Sequence, residues 1–273
     1  FLIRRGVHCL YPCGTTGEMY HMSVAEREKV AETVVHQAAG RATVYIHAGA
    51  MCQEDTLILA RHAVQIGADG VGVVTPSFFC ASDRELVTYY QAVSSVLPAE
   101  FPLYLYNIPQ CAANDLTTDV VMRIVDSCPN IVGIKYSLPD FLRTDEYIHV
   151  AENFSVMQGT DRLFLPMLAM GCDGTVSGVS NVYPELFVAI YNAYLAGNIE
   201  KAREYQIYAT QACNLLHCGC DMSYFKNGLS FRGFYGGHMR APQLDLTANE
   251  VDGLYKALTQ AQQHWPKGLL LIR

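Results

Sequence analysis

Three short stretches of this 273-residue chain hold the residue types from which carbonyl chemistry is built. Lys135 follows the apolar run Ile131-Val132-Gly133-Ile134, so its amine emerges from a dry environment rather than a solvated helix face. Burial disfavours the ammonium form, and bringing a lysine pKa from about 10.4 to near 7 takes roughly 4–5 kcal/mol of differential solvation. A lysine tuned in that way attacks ketone carbon and forms a Schiff base. Tyr106, in Tyr106-Asn107-Ile108-Pro109, is a phenol able to carry a proton to and from an aldol oxygen. Gly14-Thr15-Thr16-Gly17-Glu18 sets two hydroxyls between two glycines, a nest of backbone N–H groups suited to a carboxylate or a phosphate. Each stretch alone has a plainer reading: a strand-end lysine reaching water, or an ordinary glycine-rich turn. Together they make a set. The nest would hold the carboxylate of a 2-oxo acid, Lys135 would condense with its ketone, and Tyr106 would move the proton.

Such a set needs a scaffold that brings distant segments to one end. Seven runs rich in β-branched and aromatic residues predict strands: 7–13, 43–49, 70–75, 102–107, 131–135, 155–159 and 174–178. They recur about every 30 residues, and several are apolar almost throughout, as in a parallel sheet covered by helices on both faces. Capping boxes at Ser23–Glu26, Ser82–Glu85 and Thr247–Glu250 open helices, the first running to Gly40 and the second stopping before Pro98. The pattern predicts an α/β fold, a (β/α)8 TIM barrel with its first βα unit missing from this chain and a C-terminal helical extension. Phe1–Gly6 reads as the last turn of that lost crossover helix, closed by Gly6. Residues 1–196 would form the catalytic barrel and 197–273 a helical region packed on it as one structural unit. In a barrel of this kind function sits at the carboxyl ends of the strands, where all three stretches fall.

Composition excludes much else. Hydrophobic residues make up 51% and charged residues 16%, enough for a large core and incompatible with disorder or a coiled coil. A net charge of −7 argues against a nucleic-acid partner or an anionic membrane surface, and no apolar run has the length of a membrane span. Ten cysteines are spread through a chain too long to depend on disulfides, which fits reduced thiols and a cytoplasmic location. His217-Cys218-Gly219-Cys220-Asp221 lacks the second ligand pair that a zinc knuckle requires. His47, at a strand end, reads as a hydrogen-bonded barrel histidine, and Trp265 as packing for the last helix.

The stretches around Thr15, Tyr106 and Lys135, with Gly159-Thr160-Asp161 and Arg240-Ala241-Pro242, occur in an order and spacing that resembles the dihydrodipicolinate synthase/N-acetylneuraminate lyase family. The resemblance covers essentially the whole chain. It implies a class I pyruvate-dependent aldolase on a (β/α)8 barrel, usually a homotetramer built as a dimer of dimers, with no metal or organic cofactor. Carried over by position, Lys135 is the Schiff-base lysine and Tyr106 the catalytic tyrosine. Thr15 and Thr16 bind the pyruvate carboxylate, and Gly159 and Val176 line the pyruvate pocket. Ser137 and Asp161 complete the implied substrate-binding set.

Departures from the family narrow the substrate. The synthases resembled here carry an arginine five residues after the tyrosine, where this chain has Cys111. They also have a tyrosine where Thr75-Pro76-Ser77 is followed by Phe78. Losing a two-pronged carboxylate clamp is not conservative. The lyases have a glutamate at the position of Arg162 and a serine at that of Gly178. Arg162 either meets an anionic substrate group or caps a helix in a surface ion pair. The expected reaction is reversible cleavage of a 2-keto-3-deoxy sugar acid, or a related 4-hydroxy-2-oxo acid, to pyruvate and an aldehyde. The alternatives are N-acetylneuraminate lyase, 4-hydroxy-tetrahydrodipicolinate synthase, or a catalytically silent protein that binds 2-oxo acids.

Overall fold

The structure, a computed structural model, describes residues 1–219, 221–266 and 268–270. Its contacts group the chain into two compact units. One comprises residues 8–159 and 170–176; the other comprises 1–7, 160–169 and 177–273.

The first unit contains seven parallel strands, hydrogen-bonded in chain order: β1 Cys9–Leu10, β2 Thr43–His47, β3 Gly70–Val74, β4 Leu103–Asn107, β5 Ile131–Tyr136, β6 Ser155–Gln158 and β7 Gly174–Thr175. The helices following β1 to β5 are α1 Val24–Ala38, α2 Gln53–Gln65, α3 Asp83–Ser95, α4 Pro109–Ala112, α5 Thr118–Ser127 and α6 Phe141–Ile148. All seven predicted runs contain a strand. The runs at 7–13 and 174–178 shorten to two residues each, because an outer strand pairs on one side only. Pro12 has no N–H to continue β1, and Cys13 turns to φ 61°. Capping boxes at Ser23 and Ser82 close as expected, each hydroxyl accepting from the N–H three residues on. Every residue of β3 is buried, as a strand covered on both faces must be.

The sheet curls. A flat sheet would set β1 and β5 about 19 Å apart at four strand spacings, more than a lysine and a tyrosine side chain span. Lys135 Nζ nevertheless lies 5.3 Å from the centroid of the Tyr11 ring, which follows β1.

The second unit is helical: α7 Phe164–Met170 (its last residue in the first unit), α8 Pro184–Leu195, α9 Ile199–Leu215, α10 Met222–Phe231 and α11 Ala248–Gln262. The Thr247 capping box opens α11. Trp265 is buried there, donating from Nε1 to Gln211 Oε1 at 2.9 Å and meeting Tyr183 edge-on. The terminal turn Ile3–Arg5 closes on Gly6 at φ 85°. Glu185 lies buried between two guanidiniums, 3.1 Å from Arg5 Nε and 2.6 Å from Arg232 Nη2. A carboxylate held this way leaves both cations without a counter-charge if it is neutralised. Glu185→Gln is expected to cost about 2 kcal/mol, read as a lower urea midpoint with an unchanged slope.

The described cysteines are free thiols, and Cys218 is exposed in a 3-10 turn at His217–Gly219. Cys220 lies outside the described residues. Among the described residues no helix is long and apolar enough to cross a membrane.

Candidate active site

Lys135 and Tyr106 sit side by side on β5 and β4, paired in register by the ladder itself. Lys135 is 9% exposed and Tyr106 1%. The amine stands over the tyrosine face, 3.9 Å from the ring centroid. The Tyr106 hydroxyl is 3.0 Å from Thr15 Oγ1, and either oxygen can donate. This contact joins residues 91 positions apart and ties β4 to the turn after β1.

That turn is shaped as an anion cradle. Glu18 N–H donates to Thr15 O and Met19 N–H to Gly14 O, while Cys13 and Glu18 take positive φ at either end. Among the described residues the N–H groups of Thr15, Thr16 and Gly17 donate to no backbone carbonyl. Consecutive amides free of the turn's own bonds can converge on a carboxylate.

Ser137, Gly159 and Val176 fall at the ends of strands of the same sheet. Ser137 follows β5, and its carbonyl accepts from Gln110 Nε2 at 2.6 Å. Gly159 follows β6, and a Cβ there would lie 1.9 Å from Ser137 Oγ. Glycine is therefore required at 159 as long as serine occupies 137. Val176 follows β7, its N–H donating to Gln158 O at 2.9 Å. Asp161 belongs to the helical unit, where Oδ2 accepts from Val179 N–H at 3.0 Å. Arg162 is exposed in the short turn with it. Cys111 is exposed after α4 opens, and Phe78 is 74% exposed with φ 75°.

Three features were not read from the sequence. The Tyr11 ring lies 5.3 Å from the lysine amine, as the second ring near it after Tyr106, and a tyrosine within an apolar run looks like ordinary core. Tyr20, in the turn after the nest, meets Ser77 Oγ at 2.5 Å. Asn107 donates from Nδ2 to Asp115 Oδ1 at 2.7 Å and to the Tyr147 hydroxyl at 3.0 Å, anchoring the end of β4. Its place next to Tyr106, pointing to the opposite face of the sheet, was the available signal.

His47 is fully buried, with Nδ1 2.9 Å from Cys13 O. A carbonyl only accepts, so Nδ1 carries the proton. The ring meets Tyr11 and Tyr106 edge-on, at 5.9 and 5.8 Å between centroids. Burial, reinforced by the charges of Arg27 and Lys135, holds this imidazole well below its ordinary value of 6.5. The native chain thus leaves His47 neutral at pH values where the unfolded chain protonates it. Stability is expected to fall as pH drops from 6.5 towards 5, by up to about 1.4 kcal/mol per unit from this group. Urea unfolding across that window checks the slope, which His47→Asn should flatten.

Comparison with known proteins adds to this geometry. A family model described as the dihydrodipicolinate synthetase family matches residues 1–261. The 4-hydroxy-tetrahydrodipicolinate synthase of Methanosphaerula palustris is 30% identical over 261 residues, 95% of this chain and 88% of that one. Among solved structures, the E. coli K12 prophage protein YagE, in complex with pyruvate, superposes with a TM-score of 0.89 at 28% identity. That match covers 96% of this chain and 89% of YagE. A Sulfolobus solfataricus 2-keto-3-deoxygluconate aldolase variant, in complex with L-2-keto, 3-deoxy-galactonate, gives 0.88 at 25% identity, covering 96% and 87%. A lysine and a tyrosine in register, a threonine joined to that tyrosine, and a match along nearly the whole length lead to one assignment: this chain belongs to the dihydrodipicolinate synthetase family.

Proposed function

We propose that the chain is a Schiff-base aldolase that reversibly cleaves a 2-keto-3-deoxy sugar acid, or a related 4-hydroxy-2-oxo acid, to pyruvate and an aldehyde. The observation that carries the reading is the constellation of Lys135 Nζ, the Tyr106 ring 3.9 Å away, and the Tyr106–Thr15 contact at 3.0 Å. The neutral amine of Lys135 adds to the C2 ketone, and the carbinolamine takes up a proton and loses water to give a cationic iminium. Tyr106 relays the proton of the C4 hydroxyl: its oxygen takes that proton as its own passes to Thr15 Oγ1, and the Thr15 proton passes on to the substrate carboxylate held beside it. The C3–C4 bond breaks, its electron pair neutralises the iminium as an enamine, and the aldehyde leaves. Protonation of the enamine at C3 and hydrolysis return pyruvate and the free lysine.

The amides after Gly14, with Thr15 and Thr16, would hold the substrate carboxylate. Gly159, Ser137 and Val176 would line the pyruvate end, and Asp161 is kept as a proposed substrate contact. The covalent Schiff base is itself the electron sink, so the reaction as proposed uses no metal or organic cofactor. Cys111, in place of a guanidinium, favours this reading over condensation with an aldehyde that bears a carboxylate.

The scaffold proposed is a (β/α)8 barrel to which residues 1–196 contribute β1 to β7, with 197–273 as its helical extension. A homotetramer in the cytoplasm is part of the same proposal, the free thiols favouring a reducing compartment.

Borohydride treatment in the presence of pyruvate tests the chemistry. The expected product is the chain carrying one reduced pyruvate, mapped by peptide mass to Lys135. An adduct on another lysine, or none, would overturn the mechanism.

A further inference from the structure

Tyr11 has no part in the mechanism above, yet its ring lies against the reacting nitrogen. Lys135 Nζ is flanked by two aromatic rings, Tyr106 at 3.9 Å and Tyr11 at 5.3 Å from their centroids. Both distances fall within the roughly 6 Å over which a ring face attracts a cation. The second ring is held there by its surroundings. A Cβ at Gly72 would lie 2.2 Å from the Tyr11 hydroxyl, so β3 is bare where the phenol passes. His47 stands edge-on to both rings, 5.9 Å from that of Tyr11 and 5.8 Å from that of Tyr106.

The hydroxyl of Tyr11 does not explain the residue. It is sealed from solvent and has no hydrogen-bond partner among the described residues. A buried, unpaired hydroxyl costs about 1–3 kcal/mol, so the ring must supply what retains it. Burial pushes the phenol well above its ordinary value of 10, which leaves the ring neutral through the alkaline range. Its attraction for a cation is then that of the π face and not of a phenolate. The titratable groups around the amine are Tyr11 after β1, His47 of β2 and Tyr106 of β4, with Arg27 of α1 behind His47. Arg27 is bound to the carbonyls of Gly49 and His47, and buried His47 is neutral. Both rings present a face of negative potential to the nitrogen.

We propose that Tyr11 is a positioning residue whose ring, together with that of Tyr106, forms an aromatic clamp that keeps the Schiff-base nitrogen of Lys135 cationic. The proposal rests on the Schiff-base reading. An imine withdraws electrons from the C3–C4 bond only while protonated, so the clamp widens the pH range over which the adduct can react. Nothing in the sequence marks this role, because it arises only when the sheet curls β1 towards β5.

The test measures the rate of borohydride reduction at saturating pyruvate as a function of pH, because borohydride reduces the cationic form. Tyr11→Phe keeps the face and should leave the alkaline limb where the wild type has it. Tyr11→Leu should move that limb to lower pH by about half to one and a half units. Because leucine could disturb the fold, a second series keeps the shape: phenylalanine with one, two and three ring fluorines at position 11, each drawing charge from the face. The limb should shift stepwise along the series while the far-UV spectrum stays constant. A limb that does not move along the fluorinated series overturns the clamp, as does a Tyr11→Phe shift equal to that of leucine. No adduct with the wild type at any pH would instead overturn the Schiff-base reading beneath it.

Discussion

Lys135→Ala is expected to lower aldol cleavage by a factor on the order of 10⁴ or more and to abolish borohydride adduct formation, while the fold persists. The size follows from what the amine does. Without it no iminium forms, and the C3–C4 electron pair has nowhere to go but an unactivated ketone. The fold should survive because alanine at the end of β5 keeps the ladder bonds of that residue with Met157 and Tyr106. Lys135→Arg should be equally inactive, since a guanidinium does not deprotonate near neutral pH. Pyruvate release coupled to a redox indicator measures the first effect, and intact-protein mass the second. Turnover retained in Lys135→Ala would place the chemistry elsewhere.

Tyr106→Phe is expected to lower kcat by roughly 10²- to 10⁴-fold, the range that a positioned proton-transfer group contributes. KM for the 2-oxo acid should change much less, because the ring and its face towards Lys135 remain. The phenol has 1% exposure, so bulk water does not stand in for it. Its contact with Thr15 gives the proton a path along the turn after β1, and Thr15→Val should reproduce a smaller part of the same loss. Steady-state kinetics separate these effects: a fall in kcat with trapping intact assigns Tyr106 to proton transfer. A matching loss of adduct would assign it instead to holding the lysine.

Much of this was legible because the strands are buried on both faces. An apolar run such as Gly70–Val74 has one plausible place, inside a parallel sheet, and the polar residue that ends it must then emerge at a mouth. Lys135 and Tyr106 stood out for that reason. Helix starts were equally plain, since Ser23, Ser82 and Thr247 each carry their glutamate three residues on. Strand ends at the sheet margins were not, because pairing on one side only is a property of the whole sheet. Tyr11 was hidden for a related reason. Its partners are Gly72, 61 residues on, and Lys135, more distant still, and no local pattern records a meeting across a curled sheet. The family resemblance supplied roles for Gly159 and Ser137, but the steric bond between them, one side chain filling the space the other lacks, came from the fold alone.

β1 has a further consequence. Among the described residues it is one of the two shortest strands and its ladder is with β2, and the segment directly after it carries Tyr11, Thr15 and Thr16. The amine on β5 is bound into the middle of the sheet, between β4 and β6. The nucleophile therefore resides in the most firmly tied part of the unit, and its cradle and second ring in one of the least. Fraying a few bonds at the margin would dismantle the anion cradle and uncover the lysine with the rest of the sheet intact.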